Sequence, residues 1–172
     1  MPAETDISSQ KVEIKALPCS INRDKAALIV EAYSDQHSVQ VQKLVYYPYY
    51  WVFFSYTVKT LLGKSRAINA SCMVDMINNH AATTDKFEAS IEAIPKDNIL
   101  EYDYSEEEAF NTAKTYLTHA AIHKMKALLV PDYEVKERGI IYKPFWIVRC
   151  TNSDRHKFKV MVDAVTGKYQ LL

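Results

Sequence analysis

One short pattern is written twice in this chain, and it restricts the available folds more than any other feature. Pro48-Tyr49-Tyr50-Trp51-Val52 leads on to Met73-Val74-Asp75, and Pro144-Phe145-Trp146-Ile147-Val148 leads on to Met161-Val162-Asp163. Each copy reads as an aromatic and aliphatic strand, a polar turn and a returning strand, which is a β-hairpin. If the two copies share one ancestor, Trp51 and Trp146 are expected in equivalent surroundings.

The segments in front of the hairpins also correspond. Val12, Ile14 and Ala16 alternate with Glu13 and Lys15; Leu100, Tyr102 and Tyr104 alternate with Glu101 and Asp103. Alternation of this kind predicts a short strand in each place. Ser20 or Asn22 can cap a first helix carrying Ala26, Ile29, Val30 and Tyr33 on one side. Ser105 opens a second helix, with Glu106 to Glu108 in the first turn, where the helix dipole favours acid. Its apolar side is Phe110, Ala113, Leu117, Ala121 and Leu128, with Lys124 among them, and Pro131 ends it. The expected fold class is α+β, as two related strand–helix–β-hairpin units, each a helix packed on an antiparallel sheet. The first is expected over 11–94 and the second over 95–172, after a disordered N-terminus at 1–10.

Bulk properties narrow the function. The 172 residues carry 21 basic and 21 acidic side chains. A balanced charge argues against nucleic acid as a partner, because that binding rests on clustered Lys and Arg. The longest apolar run, Tyr49 to Phe54, is too short to span a membrane. No apolar export signal follows Met1. Cys19, Cys72 and Cys150 are odd in number, widely spaced and never in a CxxC pair, which argues against a disulfide framework or a zinc site and for the cytoplasm.

The second half resembles a PepSY-type unit. The residues that carry the likeness are Ser105-Glu106-Glu107-Glu108-Ala109, then Pro144-Phe145-Trp146-Ile147-Val148, then Val162-Asp163-Ala164-Val165-Thr166-Gly167-Lys168. The first half matches through Val74-Asp75, with Asn78-Asn79 where the Thr-Gly turn stands in the second. The resemblance implies a non-catalytic module of helix on sheet, of a kind that modulates peptidases or senses ligands at envelopes. This chain lacks the export signal that most such proteins carry.

Three groups of residues invite a chemical role. Asp75 and Asp163 occupy matching places and would suit an acid–base pair in a cleft; as turn residues they would instead accept backbone N–H bonds. His119 and His123 have the spacing of two metal ligands, but they share the polar side of the helix with Glu108, Thr112, Thr115 and Lys126 and lack a third ligand, so no metal is expected. The aromatic run is the third. In a strand, Tyr47, Tyr49, Trp51 and Phe53 point one way while Tyr46, Tyr50, Phe54 and Tyr56 point the other. Both faces are apolar, which suits a central strand covered by helices on one side and by its own partner strand or a second subunit on the other. The alternative is an aromatic-lined groove for a ligand, with Tyr47, Tyr49, Trp51, Phe53 and Trp146 as the candidate residues. No GxSxG occurs, and with only 3 glycines no phosphate-cradling loop is present.

The sequence therefore points to a non-catalytic binding or regulatory module with no cofactor. Its partner is expected to be a protein, a second copy included, or a small hydrophobic ligand held by Tyr47, Tyr49, Trp51, Phe53 and Trp146. The rival is a small enzyme on a cone-shaped α+β scaffold. It requires Asp75 or Asp163 to face an enclosed pocket with a raised pKa.

Overall fold

The computed structural model describes residues 10–33, 36–59, 62–125 and 132–172. In chain order the elements are β1 (Lys11–Ala16), α1 (Arg23–Glu31), β2 (Gln36–Lys59), β3 (Ser65–Asp75), β4 (Ala81–Thr83) and β5 (Ser90–Pro95). A single 3-10 turn at Lys96–Asn98 follows, then α2 (Glu106–Met125), β6 (Tyr133–Asn152), β7 (Lys157–Asp163) and β8 (Tyr169–Leu171). The protein is α+β, and its described strands pair almost entirely antiparallel. The expected tail up to Ser9, Leu61, Leu128, the Pro131 stop and the Lys124 side chain lie outside the described residues.

The chain forms two compact units that interleave in sequence. One takes the residues up to Tyr47 together with Glu88–Leu100 and Tyr142–Leu172; the other takes Pro48–Phe87 and Glu101–Ile141.

In the second of these units, β2 and β3 make the first hairpin, from Tyr49 opposite Asp75 to Lys59 opposite Ser65, and β4 adds to the outer edge of β3. Even-numbered side chains of β2, from Tyr50 to Val58, are buried with Cys72, Val74 and Met76. Ala109, Ala113, Leu117 and Ala121 cover them, one helical step of four apart, so α2 presents a single stripe to the sheet. Three of those four are alanines, and the small side chains admit Tyr50 and Phe54 beneath the helix. The start of α2 is a capping box: Ser105 Oγ accepts from Glu108 N at 3.2 Å, and the Glu108 carboxylate accepts from Ser105 N at 2.8 Å.

In the other unit, β6 pairs with β7 and β7 with β8. β1 pairs with β5 along its length and touches β6 in parallel at Tyr142. Asn22 caps α1 by accepting from Lys25 N at 2.9 Å. Ala26 and Val30 of α1 are buried with Val41, Val148, Cys150, Val160 and Val162. Tyr33 lies past the end of α1, exposed, with its ring 4.7 Å from that of Tyr169. A smaller cluster joins Ile14, Ala16, Tyr46 and Ile94.

Each helix thus covers the hairpin written in the other half of the chain. Capping and periodicity decide where a helix forms; which hairpin it covers is a long-range choice that neither encodes. The strand expected over Leu100–Tyr104 does not form. Ile99 makes one parallel bridge to Tyr46, Leu100 N donates to the Tyr46 carbonyl, and the stretch then runs directly into the Ser105 cap.

Candidate functional site

The acids of the repeated pattern close two turns with the same hydrogen bonds. After β3, Asp75 N donates to the His80 carbonyl (2.9 Å) and Asn79 N to the Asp75 carbonyl (2.8 Å). Asp75 Oδ1 accepts from Ile77 N and Asn78 N, and Oδ2 from Asn78 Nδ2. After β7, Asp163 N donates to the Lys168 carbonyl (2.7 Å) and Gly167 N to the Asp163 carbonyl (2.8 Å). Asp163 Oδ1 accepts from Val165 N and Thr166 N, and Oδ2 from Thr166 Oγ1. The residue after each acid donates to the proline of its hairpin, Met76 N to Pro48 and Ala164 N to Pro144. The left-handed position is Asn79 at φ 55° in one turn and Gly167 at φ 78° in the other. Asn and Gly are the residues that tolerate this conformation.

Both acids therefore anchor turns. Asp163 is buried and also pairs with Lys143 at 2.6 Å. Burial pushes its carboxyl up, but hydrogen bonds from Lys143, Thr166 and Val165 and the Lys143 charge outweigh that and hold it below the usual range. A catalytic acid needs the opposite shift.

The turns also fix how the tryptophans correspond. Tyr49 stands opposite Asp75 and Phe145 opposite Asp163, so Trp51 faces Met73 across its hairpin while Trp146 faces Val162. The counterpart of Trp146 is Tyr50. The alignment of Trp51 with Trp146 is off by one residue, and in a strand one residue exchanges the faces. Trp146 lies on the side covered by α1, packs with the Val148 and Val162 cluster, and donates its indole N–H to the Ile21 carbonyl at 2.7 Å. Trp51 lies on the side away from α2. Its N–H goes to Ser71 Oγ at 2.5 Å, and its ring meets Phe87 edge-on at 5.2 Å.

Of the five candidate residues, Tyr49, Trp51 and Phe53 share one half-buried sheet face beside Met73 and Phe87. Tyr47 falls in the other unit, edge-on to Phe145 at 5.9 Å. The opposite face of β2 holds the core residues Tyr50, Phe54 and Tyr56.

Among the described residues the remaining chemistry-bearing side chains form no constellation. His119 and His123 have their rings 6.1 Å apart, and among the described residues no group of three His, Cys, Asp or Glu is placed to hold a metal ion. Cys72 and Cys150 are buried free thiols, and burial pushes Cys72 up to about 12, far from the thiolate a nucleophile needs.

One site was not anticipated. A groove of about 470 Å³ opens between α2 and the turn joining β3 to β4, lined by Asn79, His80, Ala81, Asn111, Thr112, Thr115 and Tyr116. The only signal in the sequence was Asn79 standing where the second copy has Gly167; the Thr112 and Thr115 side of the helix read as solvated.

No protein-family model, no curated protein and no solved structure matches this chain. Among the described residues no helix is long and apolar enough to cross a membrane.

Proposed function

We propose that the protein is a non-catalytic binding module, a tandem of PepSY-like units, that docks a second copy of itself through the Tyr49–Trp51–Phe53 face. The observation that carries this reading is the alternation in β2. Tyr50, Val52 and Phe54 are enclosed under α2, while the intervening Tyr49, Trp51 and Phe53 stay half-exposed. Folding needs one covered face, and the second row of aromatics exceeds that need. Such residues are enriched in protein interfaces, where ring area is gained at little entropic cost.

The face suits its own copy. Across the hairpin from Trp51, Phe53 and Ser55 stand Met73, Ser71 and Asn69, all uncharged. Asp75, opposite Tyr49 at the end of the row, keeps its carboxylate in its own turn, so a two-fold contact centred on Trp51 and Phe53 sets uncharged residues against their copies. The zero formal net charge likewise leaves no long-range repulsion between copies. A part-buried sheet face with no enclosed cavity described on it also favours a protein over a small hydrophobic ligand, which needs enclosure. Free Cys19, Cys72 and Cys150 support a reducing, cytoplasmic setting.

Sedimentation velocity over a range of concentrations tests this. The wild type is expected to move from monomer to dimer, and Trp51→Ala to weaken association at least tenfold while keeping its fold by circular dichroism. A wild type that stays monomeric throughout, or a Trp51→Ala monomer that unfolds, would overturn the interface.

A further inference from the structure

We infer that the groove between α2 and the β3–β4 turn is a binding site for a small uncharged saccharide. The inference is independent of the aromatic face.

The strongest argument is the matching turn in the other unit. Asn79 and Gly167 hold the same position in the same hydrogen-bonded turn. At Gly167 the space is closed by apolar packing: a Cβ built there would meet Ile29 Cδ1 at 3.3 Å and Ile21 Cδ1 at 3.7 Å. At Asn79 the fold leaves about 470 Å³, and polar side chains line it. The turn needs no groove to be stable, because its counterpart closes the equivalent space. The opening is a property of this copy alone.

The lining gives the ligand class. Asn79 and Asn111 offer amides, Thr112, Thr115 and Tyr116 offer hydroxyls, and His80 offers an imidazole. None carries a permanent charge, so neither phosphate nor carboxylate is matched by a cation, nor an amine by an acid. Amides and hydroxyls donate and accept together, the pairing that sugar hydroxyls require. Asn79 Oδ1 is shielded from solvent and accepts no hydrogen bond from the described residues. A buried acceptor left unmet is unfavourable, and turning the amide toward a ligand hydroxyl relieves it. The volume lies within the range of small-ligand clefts.

The test is a titration followed by amide NMR, with glucose, maltose, N-acetylglucosamine and ribose as neutral probes and gluconate as the charged one. At least one neutral sugar is expected to shift the Asn79 and Asn111 side-chain signals saturably, with a midpoint at least tenfold below that of gluconate. Asn79→Gly takes the residue its counterpart already uses, so the turn survives, and Thr112→Val keeps its shape. Each should weaken the sugar at least fivefold and leave the thermal midpoint and self-association unchanged. No saturable shift with any of the four sugars, tighter gluconate binding, or variants that bind as wild type would overturn the site.

Discussion

The turn after β3 and the turn after β7 are closed by the same six backbone and side-chain contacts, yet the strands leading into them differ where it matters for function. In one hairpin the tryptophan stands opposite Met73, two residues before the closing Asp75, and away from the helix; in the other it stands opposite Val162, one residue before Asp163, on the side of the helix. Backbone hydrogen bonding ignores side-chain identity, so a turn is retained while the strand beside it is rewritten. A displacement of one residue then moves the indole from the helix-covered face of the hairpin to the other face. Both indoles are part-buried, one beside the α1 cluster and the other beside Phe87 on the face away from α2.

The largest contrast is expected between the tryptophans. Trp146→Ala removes packing beneath α1 and the bond to Ile21, and should cost ~3–4 kcal/mol in urea unfolding. Trp51→Ala removes a part-buried ring, its contact with Phe87 and its bond to Ser71, away from any helix, and should cost a smaller ~2 kcal/mol of monomer stability. Equal losses would mean that the two faces are equally buried.

The acids come next. Asp163→Ala breaks a buried ion pair and three side-chain hydrogen bonds, for an expected loss of ~2–4 kcal/mol. Asp75→Ala, in the more exposed turn, should lose ~1 kcal/mol. Asp163 also contributes to the response to pH. The folded Asp163 carboxyl sits below its unfolded range, so the unfolded chain takes up the proton first as pH falls. Its contribution is complete above about pH 4–5 and fades as pH drops through the lower folded value. Asp163→Asn should therefore flatten the fall in urea midpoint over that acid range. An unchanged slope would remove Asp163 from the acid response.

The smallest effects belong to the left-handed positions. Gly167→Ala puts a Cβ at φ 78° and within 3.3 Å of Ile29, for an expected loss of ~1–2 kcal/mol. Asn79→Gly should change stability by under ~0.5 kcal/mol, because glycine takes the left-handed conformation without strain. Thermal unfolding of both checks the difference.

Much of the fold was legible in local patterns. The Asn22 and Ser105 caps, the alternation of Tyr50, Val52 and Phe54 against Trp51 and Phe53, and the hairpin endings at Asp75 and Asp163 all follow from residue types at short range. Even Asn78-Asn79 in place of Thr166-Gly167 reads correctly once the left-handed position is recognised. The exchange of helices was not legible, because α1 and α2 each carry an apolar stripe that either hairpin can cover. Leu100–Tyr104 alternates like a strand but finds no ladder partner, since β1 pairs with β5 instead. The aromatic face was half legible: period two separates Tyr49, Trp51 and Phe53 from the core, but it also admits Tyr47, which belongs to the other unit, and identity of letters drew Trp146 into the set. The polar groove needed α2 beside the β3–β4 turn, a juxtaposition visible only in three dimensions.

The most direct measurement uses 5-fluorotryptophan and follows the two ¹⁹F resonances, assigned with Trp51→Phe and Trp146→Phe, as protein concentration rises. The Trp51 signal should shift with concentration as its face becomes covered, and the Trp146 signal should stay fixed. A Trp51 signal that never moves, or a Trp146 signal that moves instead, would contradict the assignment of the open face to Trp51 and the docking built on it.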